Sequence, residues 1–441
     1  MSAGKLPEGW TQALLGDYLY LKNGLAFKST EYVPPMNSSF PVIRISDLNG
    51  TCASDRSAVH VLQEVDGFNI EKGDLLIAMS GATTGKIGVY IGSTPAYQNQ
   101  RVGNIKLRSH KYGNEQYRNY LISSISKKIL DEAYGGAQPN ISGKTIEAFS
   151  FYLAPLSEQK IIAEKLDTLL AQVDSAKARL NKIPQTLKRF RQAVLATAVG
   201  GILTYEWRIN QNITEGQPHP LSKAGTIIAG QSPASSQVNN LGKGVPYVTG
   251  PEQWDGSKIL HHKWTEYPKK ISPDNSIFVT VKGAGVGTTF PGCHCAIGRD
   301  VYAFVPNQEM NYKYTLYAIQ AAAADVVVKA KGLIPGLTKA DILEHYVYIP
   351  VIEEQHEIVR RVEQLFAYAD TIEKQVNSAL TRVNSLTQSI LAKAFRGELT
   401  AQWRAENPNL ISGENSAAAL LEKIKAERTA SGSKKTTRKK A

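Results

Sequence analysis

The second half of this chain repeats its first half at an offset of 196 residues. Between residues 158 and 208 the register holds without a gap, and 16 of the 51 positions are identical to residues 354–404. The motif GxLTxxWR at residues 201–208 returns at residues 397–404. This period is too long for a solenoid repeat, which runs at about 20 to 50 residues. It predicts two copies of a whole domain, each with its connecting helix.

Each copy carries an apolar stripe with alternating spacings of four and three residues. The first stripe comprises Ile162, Leu166, Leu169, Val173, Ala176, Leu180, Ile183, Leu187, Phe190 and Val194. The second comprises Ile358, Val362, Leu365, Ala369, Ile372, Val376, Ala379, Val383, Leu386 and Ile390. A period of 3.5 sustained over 33 residues predicts a coiled coil in which each stripe covers the other. An ordinary helical hairpin inside a core is the alternative, and it fits so narrow and long a stripe less well.

One residue interrupts the first stripe. Pro184 removes a helical hydrogen bond, so a kink or a new helix start is expected there. Its counterpart in the second stripe is Leu380.

The composition bounds the class of protein. With 441 residues, of which 42% are hydrophobic, the chain is long enough for two or three globular domains. It has no signal-peptide pattern, no apolar run of the ~20 residues that span a bilayer, and three cysteines that form no disulfide framework. These observations predict a cytoplasmic location.

The charge is basic and partly local. The net charge is +12, and residues 422–441 hold eight Lys or Arg against two Glu. We expect this tail to be disordered, and either to contact nucleic acid non-specifically or simply to be solvated. The remaining charge is compatible with DNA binding without requiring it.

Two regions precede the stripes, and both have short β-rich runs separated by Gly, Asn and Asp. Predicted strands and helices are residues 42–45, 75–79, 86–90 and 116–130 in the first region, and 247–248, 277–281, 302–305 and 312–328 in the second. Each region is therefore predicted to be an α/β or α+β domain with a mixed, mostly antiparallel sheet. The layouts agree while the sequences diverge, which is expected if a common frame presents two different recognition surfaces.

Motifs for catalysis or metal binding fail on inspection. The run from Gly81 to Lys86 lacks the spacing and the following Ser or Thr of a phosphate-binding loop, and residues 283–287 lack the dinucleotide spacing. Both are predicted to be turns. Cys293-His294-Cys295 has neither the spacing nor the second cysteine pair of a structural zinc site. We find no nuclease, methyltransferase or Ser/His/Asp signature, so the sequence predicts a binding protein with no catalytic residues and no metal.

The chain resembles the specificity subunit of bacterial type I restriction-modification enzymes, and its IA (K-type) branch in particular. The resemblance is carried by the opening LPEGW at residues 6–10, by MSGATTGKIG at residues 79–88, by residues 156–174 with their counterpart at 354–370, and by the tail from Ile390. It is strong in the helices and weak inside the two regions that precede them, residues 1 to about 154 and about 215 to 350, which we call the heads.

The resemblance implies a domain plan. Residues 1–154 and 213–350 would be two target-recognition domains, and residues 155–212 and 351–404 two helical stalks forming an antiparallel coiled coil with pseudo-twofold symmetry. Residues 405–441 would be a C-terminal helix and a basic tail.

The resemblance also implies partners. Each target-recognition domain would read one half of a bipartite, asymmetric site in double-stranded DNA, and the coiled coil would set the gap. Two modification subunits would methylate adenine with S-adenosylmethionine, and restriction subunits would use ATP and Mg to translocate and cleave DNA. None of these cofactors would bind this chain.

Sequence readout needs side chains that reach base edges, and Arg, Lys, Asn and Gln are favoured. The candidates for DNA contact, each with a solvated loop residue as the alternative, are Arg44, Thr83, Thr84, Lys86, Gln100, Arg101, Lys282, Thr288, Thr289 and Arg299. The candidates for partner contact, with helix capping as the alternative, are Glu158, Gln159, Glu354 and Gln355.

Two other functions stay open at this point. One is a coiled-coil scaffold that binds protein only. The other, an autonomous nuclease or methylase, lacks its motifs.

Overall fold

The computed structural model describes residues 6–134, 139–283, 285–328 and 336–437. The chain forms two compact units. The first contains residues 1–178 and 380–441, and the second contains residues 179–379. Each unit therefore combines one head with parts of both long helices.

The first head is built from short strands and four short helices. Its strands are β1 (Thr11–Leu14), β2 (Leu19–Asn23), β3 (Phe40–Ile43), β4 (Cys52–Ala53), β5 (Val59–Val61), β6 (Asn69–Ile70), β7 (Leu75–Ala78), β8 (Ile87–Tyr90), β9 (Ala96–Gln98), β10 (Val102–Leu107) and β11 (Ser150–Leu153). Its helices are α1 (Leu15–Tyr18), α2 (Glu115–Ser124), α3 (Ser126–Ala133) and α4 (Gly143–Glu147). The strands form sheets in the orders β1-β11, β2-β10-β7-β8-β4 and β5-β3-β9-β6.

Helices precede and follow the second head in the sequence. Helix α5 (Leu156–Val199) and helix α6 (Tyr205–Asn210) precede it. Its strands are β12 (Gln217–Pro220), β13 (Gly225–Ala229), β14 (Val238–Asn239), β15 (Val245–Val248), β16 (Trp264–Thr265), β17 (Ile271–Ser272), β18 (Ile277–Thr280), β19 (Thr289–Pro291), β20 (Cys295–Ile297), β21 (Val301–Pro306) and β22 (Tyr346–Ile349). Its helices are α7 (Tyr312–Val328) and α8 (Lys339–Leu343), and α9 (Ile352–Phe395), α10 (Ala401–Glu406) and α11 (Ala417–Thr437) follow.

The two heads share the same central topology. The second head has sheets in the orders β12-β22, β13-β21-β18-β19 and β14-β16-β15-β20-β17. In both heads a parallel pair, β3 with β9 or β15 with β20, lies among strands that are mostly antiparallel. The prediction of a common frame with mixed sheets is confirmed.

Two of the predicted elements are interrupted two or more residues before their expected ends. The strand predicted at residues 42–45 stops at Ile43, because Asp47 Oδ2 accepts a hydrogen bond of 2.8 Å from Arg44 N and caps a single 3₁₀ turn. The helix predicted at residues 116–130 is two helices that break at Ile125, which has a ψ of 5°. There Ser124 and Ser126 donate to the carbonyls of residues 121 and 123, so local side-chain bonds compete with the helical ladder.

Each long helix has 44 residues, and the predicted stripes lie on their covered faces. Nineteen of the twenty stripe residues are buried or half-buried. Leu386 is the exception at 43% exposed, so its assignment to the stripe is wrong. Of the two alternatives expected at Pro184, the new helix start is wrong, since α5 continues through it, and the kink stays a prediction.

The stripe shifts near the end of each long helix. Leu195 in α5 and Leu391 in α9 are buried, although neither belongs to the predicted stripe. Each lies eight residues after a stripe position, Leu187 or Val383, which is one residue more than a heptad. Such an extra residue rotates the apolar face, and in α9 this leaves Leu386 pointing outward.

Each unit buries its share of the stripes in one core. In the first unit Ile162 and Leu166 of α5 share a core with Leu391 of α9. In the second unit Val194 of α5 shares a core with Ile358 of α9. In both units the start of one helix therefore packs with the end of the other, so the coiled coil that the stripes predict has the antiparallel direction that the resemblance implies.

The C-terminal segment is more ordered than expected. Helix α11 extends to Thr437, and its residues Ala417, Leu420, Leu421 and Ile424 are buried in the first unit. The predicted disorder from residue 422 is therefore wrong as far as Thr437, and residues 438–441 lie outside the described part. Within that part, no helix is long and apolar enough to cross a membrane.

Candidate nucleic-acid interface

The same turn closes the central hairpin of each head. Strands β7 and β8 of the first head are antiparallel, and Thr84 N donates to Gly81 O at 3.1 Å in the turn between them. In the second head β18 and β19 pair in the same way, and Val286 N donates to Gly283 O at 3.2 Å. The prediction that both glycine-rich runs are turns is confirmed.

A set of equivalent backbone bonds places the surroundings of the two turns in register. Met79 N donates to Arg101 O at 2.9 Å, as Val281 N donates to Asp300 O at 2.9 Å. Ile141 N donates to Met79 O at 2.9 Å, as Leu337 N donates to Val281 O at 2.8 Å. Three separate segments therefore meet at the turn in each head.

A close backbone approach adds a fourth segment. A Cβ atom on Gly24 would lie 2.2 Å from Asn99 O, and one on Gly230 would lie 2.0 Å from Gly298 O. Only glycine permits this contact, which brings the end of β2 or β13 against the turn before β10 or β21.

These four segments define a rim in each head. The first rim comprises Asn23, Ser80, Gln100, Arg101 and Asn140, and the equivalent second rim comprises Ala229, Lys282, Arg299, Asp300 and Gly336. All five residues of the first rim line an open groove of about 720 Å³. The backbone frame is the same in both rims, and the side chains differ at every position.

The predicted DNA-contact residues fall into three groups. Gln100, Arg101, Lys282, Thr288 and Arg299 are exposed. Arg44, Thr83, Lys86 and Thr289 are half-buried. Thr84 is 3% exposed and its hydroxyl donates to Gly81 O at 2.7 Å, so its assignment as a DNA contact is wrong.

Two of the half-buried candidates carry local contacts of their own. Arg44 Nε lies 3.5 Å from Asp47 Oδ2, and Thr289 Oγ1 donates to Gly287 O at 3.1 Å. The members of the predicted set that the structure brings onto the rims are Gln100, Arg101, Lys282 and Arg299.

Two buried carboxylates explain the repeated motif. Glu158 is 0% exposed; it accepts from Trp10 Nε1 at 2.8 Å and from Thr400 Oγ1 at 2.6 Å, and it pairs with Arg404. A buried carboxylate is costly unless it is paired and hydrogen-bonded. The Thr and Arg of the motif at residues 397–404 meet that need at the start of α5.

The second unit repeats this arrangement with the other copy of the motif. Glu354 is 0% exposed and accepts from Thr204 Oγ1 and from Arg208 Nη1, both at 2.7 Å. Burial opposes the charge of Arg208, but the hydrogen bond to Glu354 leaves the pKa of its guanidinium raised. Tyr348 takes the place that Trp10 has in the first unit, with its hydroxyl 3.3 Å from both carboxylate oxygens of Glu354.

The adjacent glutamines connect each head to its helix. Gln159 accepts from Tyr18 OH at 2.8 Å and donates to Ala154 O at 2.9 Å. Gln355 accepts from Asn311 N at 2.8 Å and donates to Pro350 O at 2.9 Å. Each amide thus ties the start of a long helix to the head of the same unit.

These contacts correct one prediction. Glu158, Gln159, Glu354 and Gln355 are at most 1% exposed, so they are wrong as direct contacts to a partner. Their side chains form hydrogen bonds or ion pairs with other residues of the chain.

The family comparison matches both copies of the repeat. Residues 7–185 and 221–382 match the family described as the type I restriction modification DNA specificity domain. The chain belongs to this family.

Full-length relatives are type I specificity subunits of the IA kind. The chain is 41% identical to the EcoBI specificity subunit of Escherichia coli, over 98% of this chain and 95% of the relative. It is 39% identical to the EcoKI specificity subunit of Escherichia coli strain K12, over 100% of both chains.

Solved structures show the same fold at lower identity. The HsdS subunit from Thermoanaerobacter tengcongensis superposes with a TM-score of 0.59 at 20% identity, covering 90% of this chain and 99% of that one. A chain from a study of assembly and conformational transition of the type I R-M system superposes with a TM-score of 0.68 at 20% identity, covering 90% of this chain and 100% of that one.

Sequence reasoning missed three residues of this specificity subunit's first rim. Asn23, Ser80 and Asn140 lie far apart in sequence, and no spacing pattern connects them. The signal that could have found Asn23 is the Gly24 beside it, at the end of a strand. Asn140 follows residues 135–138, which lie outside the described part, and no local pattern marks it.

Metal and thiol chemistry add no further site. In the described ranges, no three of His, Cys, Asp and Glu lie close enough to hold a metal ion. Cys295 is buried and Cys293 half-buried, and both thiols are free.

Proposed function

We propose that each head reads one half of a bipartite, asymmetric DNA site through its rim. The single observation that carries this proposal is that one backbone frame presents different side chains in the two heads. Membership in the DNA specificity family supports DNA as the ligand. Arg, Lys and Gln side chains at an exposed turn are suited to base edges in the major groove.

We further propose that the paired helices fix the gap between the half-sites. The two buried glutamate clusters support this role, because each joins the beginning of one long helix to the motif that follows the other. Gln159 and Gln355 tie each head to its helix, which would limit independent motion of the head and so keep the number of base pairs between the half-sites constant.

The chain itself is proposed to catalyse nothing. Two modification subunits would bind it and transfer methyl groups from S-adenosylmethionine to N6 of adenine, and restriction subunits would use ATP and Mg to translocate and cleave unmethylated DNA. The names of the relatives, which are subunits of type I restriction enzymes, support such an assembly. A cytoplasmic location stays a prediction.

Methyl transfer by the assembled complex tests this proposal. The chain would be purified with its modification subunits and incubated with labelled S-adenosylmethionine and genomic DNA from a host that lacks the system. We expect label in DNA only when the chain is present. Assembly without any sequence-dependent labelling would contradict the proposal and favour a scaffold that binds protein only.

A further inference from the structure

Three carboxamide side chains line the groove of the first rim. Asn23, Gln100 and Asn140 are all exposed and all line the same groove, beside Arg101. Within the described part of the chain, none of these three carboxamides takes part in a hydrogen bond. They are therefore available to a ligand at no cost in internal bonds.

An orphaned hydroxyl lies in the same groove. Ser80 Oγ is shielded from solvent and has no hydrogen-bond partner among the residues described. A shielded polar atom without a hydrogen-bond partner destabilises the folded protein. A ligand that supplies a partner to Ser80 would recover this free energy.

The chemistry of the groove selects one kind of base pair. A carboxamide offers one acceptor and two donors, which matches N6 and N7 of adenine in a bidentate pair. An arginine matches O6 and N7 of guanine instead. With three carboxamides and one arginine, the first rim is suited mainly to A·T pairs.

The second rim differs at the same positions. Ala229 and Gly336 stand in place of the two asparagines, Lys282 in place of Ser80, and Arg299 in place of Gln100. No carboxamide is present among its five residues, and its two cations suit guanine. The backbone bonds that position these residues are equivalent in the two heads.

We propose that Asn23, Gln100 and Asn140 determine specificity by reading A·T pairs in the first half-site, in addition to the adenine that is methylated there. This inference rests on the proposed function and goes beyond it by naming the residues and the base class. The second half-site is read without carboxamides at the equivalent rim positions.

The test uses the full chain assembled with its modification subunits. A pool of duplexes with both half-sites randomised is methylated with S-adenosylmethionine, and the methylated duplexes are sequenced. The variants are Asn23→Ala, Gln100→Ala and Asn140→Ala. The matched control is Gln12→Ala, which removes an exposed carboxamide from β1 of the same head.

Each rim variant is expected to relax one A·T position of the first half-site. A bidentate contact discriminates by about 1–3 kcal/mol, which is roughly 5-fold to 150-fold in base preference. The second half-site and the gap should stay unchanged, and the control should keep the whole motif. Asn140→Asp preserves the shape and loses the donors, so it should shift the preference at its position from A towards C.

Three results would overturn the inference. If the rim variants keep the wild-type motif, other residues of the head read the bases, while the proposed function stands. If they relax G·C positions, or the second half-site, the assignment of base class or of half-site is wrong. If the wild-type complex itself selects no sequence, the proposed function fails together with the inference.

Discussion

At the scale of single residues, the duplicated motif serves the interior of the protein. Its Thr donates a hydrogen bond to a buried glutamate at the start of the other long helix, and its Arg forms an ion pair with the same glutamate, once in each unit. The repetition of the motif in the sequence indicated that it is important but did not indicate its role. The burial of Glu158 and Glu354 shows that the motif stabilises the interior of each unit. The rims lie outside these clusters and differ between the two heads.

Removal of one buried charge tests this interpretation. In Glu158→Gln the side chain keeps its shape, but Arg404 is left without its counter-charge, and only 12% of its side chain is exposed. Breaking a buried pair costs about 3–5 kcal/mol. We expect a large fall in Tm, measured by calorimetry.

The control is Glu164→Gln, an exposed position on the same helix. It should change stability by less than about 0.5 kcal/mol. Equal Tm values for wild type and Glu158→Gln would show that the cluster contributes nothing.

Glu357 is expected to contribute to the stability of the folded protein in a pH-dependent way. Hydrogen bonds from Arg360 first, and then from Arg361, lower the pKa of this carboxyl from 4.5 to about 2. Because the folded-state pKa is depressed, the stabilisation is fully present above about pH 4.5 and is lost as the pH falls towards 2. Arg360 is exposed, so screening limits the contribution to about 1 kcal/mol.

Comparison of wild type with Glu357→Gln isolates this contribution from that of other carboxyl groups. The difference in Tm should be largest at neutral pH and should shrink between about pH 5 and pH 3. A difference that is constant over this range would refute the assignment.

At the scale of elements, the long helices were the most predictable part of the fold. Their apolar period is local information that survives in any tertiary context, and it located both helices and their pairing. The shift near their ends was not visible, because adjacent residues are both apolar there, Val194 with Leu195 and Ile390 with Leu391. Ile390 is half-buried, while the neighbouring Leu391 is 1% exposed. Which of two adjacent apolar residues faces the core depends on the partner helix.

The proline inside α5 gives an element-scale prediction. Pro184 has no backbone N–H, and α5 is nevertheless continuous through it, so a helical hydrogen bond is missing there. Pro184→Ala should restore that bond and raise the free energy of unfolding by up to about 3 kcal/mol.

The second copy of the repeat allows the opposite substitution to be made at the equivalent position. Leu380 occupies the equivalent place in α9, and Leu380→Pro should destabilise the protein by at least as much. Urea denaturation followed by circular dichroism measures both changes. A Pro184→Ala variant that is less stable than wild type would mean that the helix depends on the proline.

The heads were predictable in class and in their main strands, but the rims, through which we propose that they read DNA, were only partly predictable. Gln100, Arg101, Lys282 and Arg299 were found as polar residues in or near turns. Asn23 and Asn140 were missed because the rim is assembled from four segments, and the close backbone approach beside Asn23 is a property of the tertiary structure. Thr84 was misassigned because the hydroxyl of a polar residue in a turn can form a hydrogen bond within the turn itself.

At the scale of the whole molecule, constant and variable roles belong to different parts of the chain. The helices and the glutamate clusters repeat in both units, while the rims differ at every equivalent position. Under the proposed function, this division would let the half-sites change without disturbing assembly.

Shortening the helices tests their proposed role in setting the gap. Removal of one heptad from the middle of both α5 and α9 shortens the pair by about 10 Å at ~1.5 Å per residue. At ~3.4 Å per base pair, the permitted gap should fall by about three base pairs. Methylation of duplexes with graded gaps measures the change, and truncation after residue 430 is the control, with no change expected.

The most direct test of the central claim is a methylation map of the genome in cells that carry this chain with its modification subunits, compared with cells that lack the chain. We predict one new two-part motif with N6-methyladenine in each half and a fixed gap between the halves. No new motif, with all subunits expressed and assembled, would contradict the claim that the two heads read DNA sequence.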